Sequence, residues 1–130
     1  MSTRHAVVWI DHEQAHVQHF DVEGSENAEV KSHSAHHHGR HSRDASGSSR
    51  AKPDNAFFAD VATALGDSLE ILVTGPAQAK SEFVSYVSAH APAVASKIVG
   101  VEALDHPSEG QLLAFARKYF RAKDRLIGGS

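Results

Sequence analysis

The residues best suited to chemistry are concentrated in one short stretch of the chain. Residues 31–52 hold five basic residues and five histidines against a single acidic residue, Asp44. The basic residues are Lys31, Arg40, Arg43, Arg50 and Lys52, and the histidines are His33, His36, His37, His38 and His41. Guanidinium and ammonium groups bind phosphate, whereas neutral imidazole binds zinc, copper and nickel. The stretch therefore offers two chemistries, phosphate binding and metal binding.

The phosphate interpretation depends on four of these basic residues, Arg40, Arg43, Arg50 and Lys52. Each of them can contact a backbone phosphate of RNA, and such binding has little sequence specificity and weakens steeply as salt is added. Arginine-rich segments also fold when they bind RNA. An ordinary solvated loop has the same composition, and the sequence leaves both interpretations open.

The metal interpretation depends on His36, His38 and His41 as ligands. A structural zinc site normally takes four ligands from a fixed frame, with further hydrogen bonds that orient them. The serine and glycine residues around these histidines supply no such frame. We therefore expect adventitious affinity for zinc or nickel and predict no resident cofactor.

The rest of the chain is acidic. The whole sequence carries 13 basic and 16 acidic residues, a formal net charge of −3, and outside residues 31–52 it carries 8 and 15, a net charge of −7. A stretch as polar as residues 31–52 cannot bury enough apolar surface to fold alone, and loops of this length are usually functional or disordered. We expect one domain over residues 1–130, interrupted by a flexible, basic, histidine-rich loop at about residues 33–52.

Composition excludes several classes of protein. The chain has no cysteine, which rules out disulfides, thiolate metal sites and cysteine nucleophiles. Its N-terminus has no signal-peptide pattern, and no apolar run is long enough to span a bilayer. We expect a cytoplasmic protein without a membrane partner. Its mild acidity argues against a general DNA-coating protein but allows one local basic surface to meet phosphate.

Hydrophobic periodicity predicts the elements that must position these residues. Apolar or alternating runs predict five strands, at residues 6–10, 15–20, 28–32, 69–73 and 97–101, with a turn at 24–27. Helical spacing predicts one helix that opens at Pro53, one from Ala79 to just before Pro92, and one after Ser108, which forms a capping-box signature with Gln111. The order β-β-β-loop-α-β-α-β-α predicts an α/β fold in which helices flank a five-stranded mixed sheet.

The last helix carries a second basic feature. Arg117, Arg121 and Arg125 follow one another at i, i+4 spacing and so form one stripe along the helix. We add Arg117 and Arg121 to the candidate nucleic-acid-binding residues. A solvated face whose cations complement the C-terminal helix dipole explains the same pattern.

A carboxylate at the end of the first strand raises the question of an enzyme. Nucleases that use two metal ions hold them with several carboxylates, so Asp11 would need acidic partners on other strands. Glu70 and Glu102 lie on or near strands, but strand alternation gives no reason for them to converge with it. We expect Asp11 to form a turn. We expect Gly75 and Pro76 to make a structural strand-to-helix turn.

Three segments carry a resemblance to a known family. They are the hairpin Val-Val-Trp-Ile-Asp-His-Glu-Gln-Ala at residues 7–15, the strand and turn Ile-Leu-Val-Thr-Gly-Pro at 71–76 with Lys80 beyond it, and the strand Ile-Val-Gly-Val at 98–101. In this order they resemble the central domain of archaeal and eukaryotic peptide-chain release factors and of Pelota. They resemble more closely its small bacterial single-domain relatives, known as translational machinery proteins or, in a sister family, as host-attachment proteins. The resemblance implies the fold of this central domain. It also implies that the ribosome or ribosomal RNA is a partner.

One departure from the family limits what the resemblance implies. Release factors carry a Gly-Gly-Gln tripeptide in the loop before the first helix, where this chain has His-His-His-Gly-Arg-His-Ser-Arg at residues 36–43. Gly-Gly-Gln occurs nowhere in the sequence. The resemblance therefore does not extend to peptidyl-tRNA hydrolysis.

The first hypothesis is a non-catalytic, translation-associated protein that binds the ribosome or ribosomal RNA through its basic loop. The alternatives are an RNA-directed, metal-dependent nuclease or hydrolase, and a metal- or pH-responsive interaction module built on the histidines. A homo-oligomer is also open, because an exposed strand edge at residues 28–32 would offer unpaired backbone groups to another chain.

Overall fold

A single mixed sheet of five strands forms the centre of the fold. The computed structural model describes residues 5–32 and 55–127, with side chains as far as residue 123. The strands are β1 (His5–Ile10), β2 (Gln14–Phe20), β3 (Ser25–Lys31), β4 (Glu70–Gly75) and β5 (Ile98–Ala103). The helices are α1 (Asn55–Ala64), α2 (Ala79–His90), α3 (Pro92–Ala95) and α4 (Glu109–Ile127). These elements confirm the α/β fold predicted from the sequence.

The central position of β1 explains its continuous apolar sequence. The strand order across the sheet is β3-β2-β1-β4-β5, in which β1, β4 and β5 are parallel and β2 is antiparallel to both of its neighbours. Ala6 to Ile10 are at most 3% exposed. A strand that is covered on both faces needs apolar side chains on both faces.

Helices α1 and α2 cover one face of the sheet. Val8 and Ile10 of β1 pack there with Val17 of β2 against Phe58 of α1 and Phe83 of α2. The two phenylalanine rings meet edge to face with their centroids 5.7 Å apart, an arrangement that aromatic pairs favour. This packing fixes the direction of both helices on the sheet.

Helix α4 covers the opposite face. Leu112, Ala116 and Phe120 of α4 pack against Val7 and Trp9 of β1. Phe115 and Tyr119 are half-buried and pack against the same cluster. Within the described residues, no helix is both long enough and apolar enough to cross a membrane.

The predicted capping box at the start of α4 is confirmed. The Ser108 hydroxyl accepts the N–H of Gln111 at 3.1 Å, and the Gln111 side-chain oxygen accepts the N–H of Ser108 at 2.9 Å. These reciprocal bonds satisfy two backbone donors that the helix itself leaves unpaired. The box fixes where the chain changes from the segment after β5 to α4.

The predicted turn at residues 24–27 is wrong, because Asp21 turns the chain earlier. The Asp21 carboxylate accepts the N–H of Glu23 at 2.8 Å and the N–H of Gly24 at 3.0 Å. The turn therefore closes at Gly24, and β3 begins at Ser25 rather than at Ala28. The third strand is consequently seven residues long.

Candidate nucleic-acid interface

Three parallel strands end at the same side of the sheet. Because β1, β4 and β5 run in one direction, the segments that follow them, residues 11–13, 76–78 and 104–108, meet there. Ligands of open α/β sheets bind outside the carboxyl ends of the strands. We refer to this side as the carboxyl edge.

Both flanks of the basic, histidine-rich segment are attached near the carboxyl edge. The N–H of Ser32 donates to the carbonyl of Glu13, in the turn after β1, at 2.8 Å. On the other flank, Phe58 in the first turn of α1 contacts the rings of Phe83 and Tyr86, each with centroids 5.7 Å apart. These two rings belong to α2, which starts at the carboxyl edge. Residues 33–54 themselves lie outside the described residues.

Asp11 forms the turn between β1 and β2, as predicted. Its carboxylate accepts the N–H of Glu13 at 2.8 Å and the N–H of Gln14 at 2.9 Å, and its own N–H donates to the carbonyl of Gln14 at 3.0 Å. An aspartate that binds backbone groups two and three residues ahead stabilises a tight turn. The carboxylate is thus engaged by the backbone.

His12 connects this turn to α2. Its Nε2 lies 2.9 Å from the carboxylate of Glu82, and the imidazole is 58% exposed. Lys80, in the same helix, donates to the carbonyl of Ala77 and so closes the turn before α2. Both contacts hold the start of α2 in place at the carboxyl edge, where the imidazole of His12 stays accessible to solvent.

Gly75 allows β1 and β4 to approach closely at the carboxyl edge. Its φ is +152°, and a Cβ at this position would lie 2.2 Å from the carbonyl oxygen of Ile10. The neighbouring Thr74 is buried, and its hydroxyl donates to the carbonyl of Val8 at 3.0 Å. The turn at Gly75 and Pro76 therefore has the structural role predicted for it.

A cleft of about 90 Å³ opens beside Trp9 at the carboxyl edge. The Trp9 indole N–H donates to the carbonyl of Leu104 at 3.1 Å and to that of Asp105 at 2.8 Å. The imidazoles of His16 and His106 line the cleft, with centroids 6.0 and 5.0 Å from the indole. The other lining residues are Gln14, Pro107, Ser108, Glu109 and Leu112.

Each imidazole of the cleft has a carboxylate beside it. His16 Nε2 lies 4.0 Å from the carboxylate of Glu29, and His106 Nδ1 lies 3.1 Å from that of Asp105. Histidine rings stack on unpaired bases of RNA, and polar side chains bind the base edges. The cleft can therefore offer a stacking surface to an unpaired base.

The two candidate arginines of α4 have different surroundings. The half-buried Arg117 donates to the carbonyl of Asp21 at 2.8 Å and to that of Gly24 at 3.4 Å, and its guanidinium carbon lies 5.3 Å from the ring centroid of Phe20. Arg121 is exposed. The turn between β2 and β3 lies at the edge opposite the carboxyl edge. The structure thus does not bring Arg117 together with the flanks of the basic segment.

Asp11 and Glu70, two of the carboxylates considered for a nuclease, lie at opposite ends of the strands. Glu70 begins β4, at the edge opposite Asp11, and its carboxylate lies 3.3 Å from His5 Nε2 and 3.5 Å from Lys123 Nζ. Within the described residues, no group of three or more histidine, aspartate or glutamate side chains could hold a metal ion. Glu70 therefore belongs to a different cluster, with His5 and Lys123, and does not converge with Asp11.

Three solved structures share this architecture. Pelota from Archaeoglobus fulgidus matches with a TM-score of 0.66 at 17% identity, over 97% of this chain and 33% of its own. The archaeal translation termination factor aRF1 gives 0.56 at 13% identity, over 97% and 41%. Dom34 of S. cerevisiae, a translation termination-like factor involved in RNA quality control pathways and interacting with Hbs1, gives 0.58 at 9% identity, over 92% and 34%. The fold is that of the central domain of Pelota and the release factors.

This similarity covers nearly all of the present chain but only about a third of each Pelota chain. At such low identities it concerns the fold. The family resemblance stated from the sequence is confirmed at that level. No family model matches the sequence, and no curated protein matches it.

The predicted binding residues divide into two groups on this release-factor-like fold. Arg121 and Arg117 are described and belong to α4. The others, Arg40, Arg43, Arg50 and Lys52 together with the metal candidates His36, His38 and His41, lie outside the described residues and stay predictions.

Sequence reasoning missed the cleft beside Trp9. Trp9 and Asp105 are 96 residues apart in the chain, and only the parallel alignment of β1, β4 and β5 brings the segment after β5 beside the end of β1. His16 appears in the sequence as one more alternating residue of β2. No local pattern signals that it lies near His106.

Proposed function

We propose that this protein acts in translation by binding the ribosome or ribosomal RNA through its basic segment, residues 33–52, without releasing peptide. One observation carries the proposal: both flanks of that segment are attached near the carboxyl edge of a release-factor-like fold. The known relatives in fold are translation factors, which supports a partner in the translation apparatus.

The distribution of charge supports the same assignment. The chain outside residues 31–52 has a net charge of −7, so RNA is repelled by most of the molecule. Arg40, Arg43, Arg50 and Lys52 supply the phosphate contacts in this proposal. Contacts of this kind release counterions, so the affinity falls as the salt concentration rises.

The sequence of the segment supports a non-catalytic role. It has no Gly-Gly-Gln, the tripeptide that the family resemblance associates with peptide release. We propose that the protein occupies a site on its RNA partner and does not hydrolyse peptidyl-tRNA. We further propose that residues 1–130 form one domain, located in the cytoplasm with the ribosomes.

Co-sedimentation with ribosomes and with separated subunits across a salt series tests this proposal. The wild-type protein should sediment with ribosomes at low salt and dissociate as salt is added. The double variant Arg40→Ala/Arg43→Ala should bind more weakly at each salt concentration. The slope of log affinity against log salt should fall by about 0.7–0.9 for each phosphate that the variant no longer neutralises.

The single variant Lys97→Glu is the matched control. It lowers the net charge by the same two units at one position just before β5, away from the carboxyl edge. It should bind like the wild type. Equal weakening by Arg40→Ala/Arg43→Ala and by Lys97→Glu would show that net charge, rather than the segment, governs binding. No binding of the wild type at low salt would overturn the proposal.

A further inference from the structure

Within residues 5–32 and 55–127, the strand β3 ends the sheet on one side, and its outer side has no paired strand. It is seven residues long, and all its side chains except that of Val30 are exposed. Among the described residues, β2 is the only strand that pairs with it. An exposed strand edge presents unpaired backbone donors and acceptors to another chain.

The hydrogen bonds to β2 determine which backbone groups of β3 point outward. Gly24 accepts from Asp21 at 3.0 Å, and Ser32 donates to Glu13 at 2.8 Å, so both Gly24 and Ser32 face β2. In an antiparallel strand, the N–H and C=O of one residue point to the same side, and the side alternates along the strand. The outward-facing residues are therefore Ser25, Asn27, Glu29 and Lys31.

Two-fold symmetry restricts how two copies of β3 can pair. Residues directly opposite each other in two paired strands have their side chains on the same face of the sheet. A two-fold axis perpendicular to the sheet does not exchange the two faces, so each residue of β3 can pair only with a residue whose side chain lies on the same face. One residue of β3 must therefore lie opposite its own copy. With Ala28 at the axis, all seven residues pair, and each outward-facing residue meets another one. Asn27 then lies opposite Glu29 of the partner subunit, and Ser25 opposite Lys31 of the partner subunit.

The side chains also favour this register. The backbone N–H and C=O of Ala28 point toward β2. At the axis, Ala28 therefore forms a non-hydrogen-bonded pair with its copy, in which the two Cα atoms are about 4.5 Å apart. A methyl group fits this short separation. No like charges lie directly opposite each other in this register, whereas an axis at Glu29 would place two copies of that carboxylate face to face. An axis at Asn27 would pair only five residues of the strand.

We propose that two copies of this protein associate through their β3 strands, antiparallel and centred on Ala28. The two five-stranded sheets then form one continuous sheet. Each of the four outward-facing residues forms a hydrogen-bonded pair with a residue of the other copy, and each such pair exchanges two backbone bonds. The partner is thus a second copy of the chain, and the order of side chains along β3 favours this register.

Cysteine cross-linking tests the register, because the natural sequence contains no cysteine. Ala28→Cys should form a disulfide-linked dimer under mild oxidation, because the separation of the paired Cα atoms suits a disulfide. Ser25→Cys is the control, since its two copies would be six residue positions apart, about 20 Å. It should remain monomeric on a non-reducing gel. Equal cross-linking of both variants would overturn the register.

Charge substitution at the axis tests the association itself. In light scattering over a protein concentration series, the wild type should show a dimer that dissociates on dilution. Ala28→Glu and Ala28→Lys should each be monomeric, and an equimolar mixture of the two should recover the dimer. Val22→Glu, at a 92% exposed turn residue outside β3, should dimerise like the wild type. A wild type that stays monomeric at every concentration would overturn the proposal.

Discussion

At the scale of single residues, Gly75 decides how closely β1 and β4 approach. Thr74 and Gly75 lie beside the end of β1, and the hydroxyl of Thr74 ties the two strands together through the carbonyl of Val8. Any side chain at Gly75 would meet the backbone of Ile10, which cannot move aside without displacing the central strand. The carboxyl edge therefore depends on one residue without a Cβ.

The variant Gly75→Ala should be clearly destabilised. Its methyl group would lie 2.2 Å from the carbonyl oxygen of Ile10, and its φ of +152° is one that L-residues avoid. We expect the free energy of unfolding in urea to fall by about 1–3 kcal/mol or more. Gly110→Ala is the control, because a Cβ there meets nothing within 4 Å. It should be as stable as the wild type or more stable. Equal stability of the two variants would contradict this account.

At the scale of elements, α4 combines a structural arginine with an exposed one. Arg117 joins the helix to the turn between β2 and β3 by two hydrogen bonds, whereas Arg121 is in contact with solvent. The basic stripe that the i, i+4 spacing predicts is therefore not uniform in function. Its first member holds the helix on the sheet, and the second is the better candidate for phosphate.

Substitution of each arginine separately should distinguish the two roles. Arg117→Ala should lower the free energy of unfolding by about 1–2 kcal/mol, because it removes both hydrogen bonds to the backbone carbonyls of the turn. Arg121→Ala should change it by less than about 0.5 kcal/mol. As a phosphate contact, Arg121 should instead contribute about 0.7–0.9 to the salt slope of ribosome binding. The reverse pattern, with Arg121→Ala the less stable variant, would refute this division.

At the scale of the whole molecule, the histidine-rich segment is chemically separate from the acidic body. Imidazole binds zinc and nickel ions. Such an ion stabilises the protein only if it binds the folded chain more tightly than the unfolded chain. The serine and glycine residues around the three histidines predict no fixed frame for them, and ligands without a fixed frame offer the same donors in both states. Metal binding by His36, His38 and His41 should therefore leave folding stability unchanged.

Thermal unfolding with zinc and with a chelator measures this directly. The midpoint of unfolding should be the same in both conditions, although calorimetric titration should detect weak zinc binding. His36→Ala/His38→Ala/His41→Ala should remove that binding without changing the midpoint. A midpoint that rises with zinc in the wild type, and no longer rises in the triple variant, would establish a resident site instead of an adventitious one.

The parts of the fold that follow local rules could be predicted from the sequence. The apolar run of β1, the turn at Asp11 and the capping box of Ser108 and Gln111 each depend on residues within a few positions of one another. The prediction for the start of β3 is wrong because Asp21 and Gly24 each signal a turn, and the sequence alone does not decide between a turn over residues 21–24 and one over residues 24–27. The cleft at Trp9 depends on strand pairing between distant segments, which no local pattern encodes.

The position of Trp9 also makes the carboxyl edge accessible to fluorescence measurements. It is the only tryptophan in the chain and is 3% exposed, with its indole N–H bound to two carbonyls of the segment after β5. Its fluorescence therefore comes from a single position at the carboxyl edge. The natural protein contains an intrinsic emitter beside the proposed binding edge, so events at that edge can be followed in solution without attaching a dye.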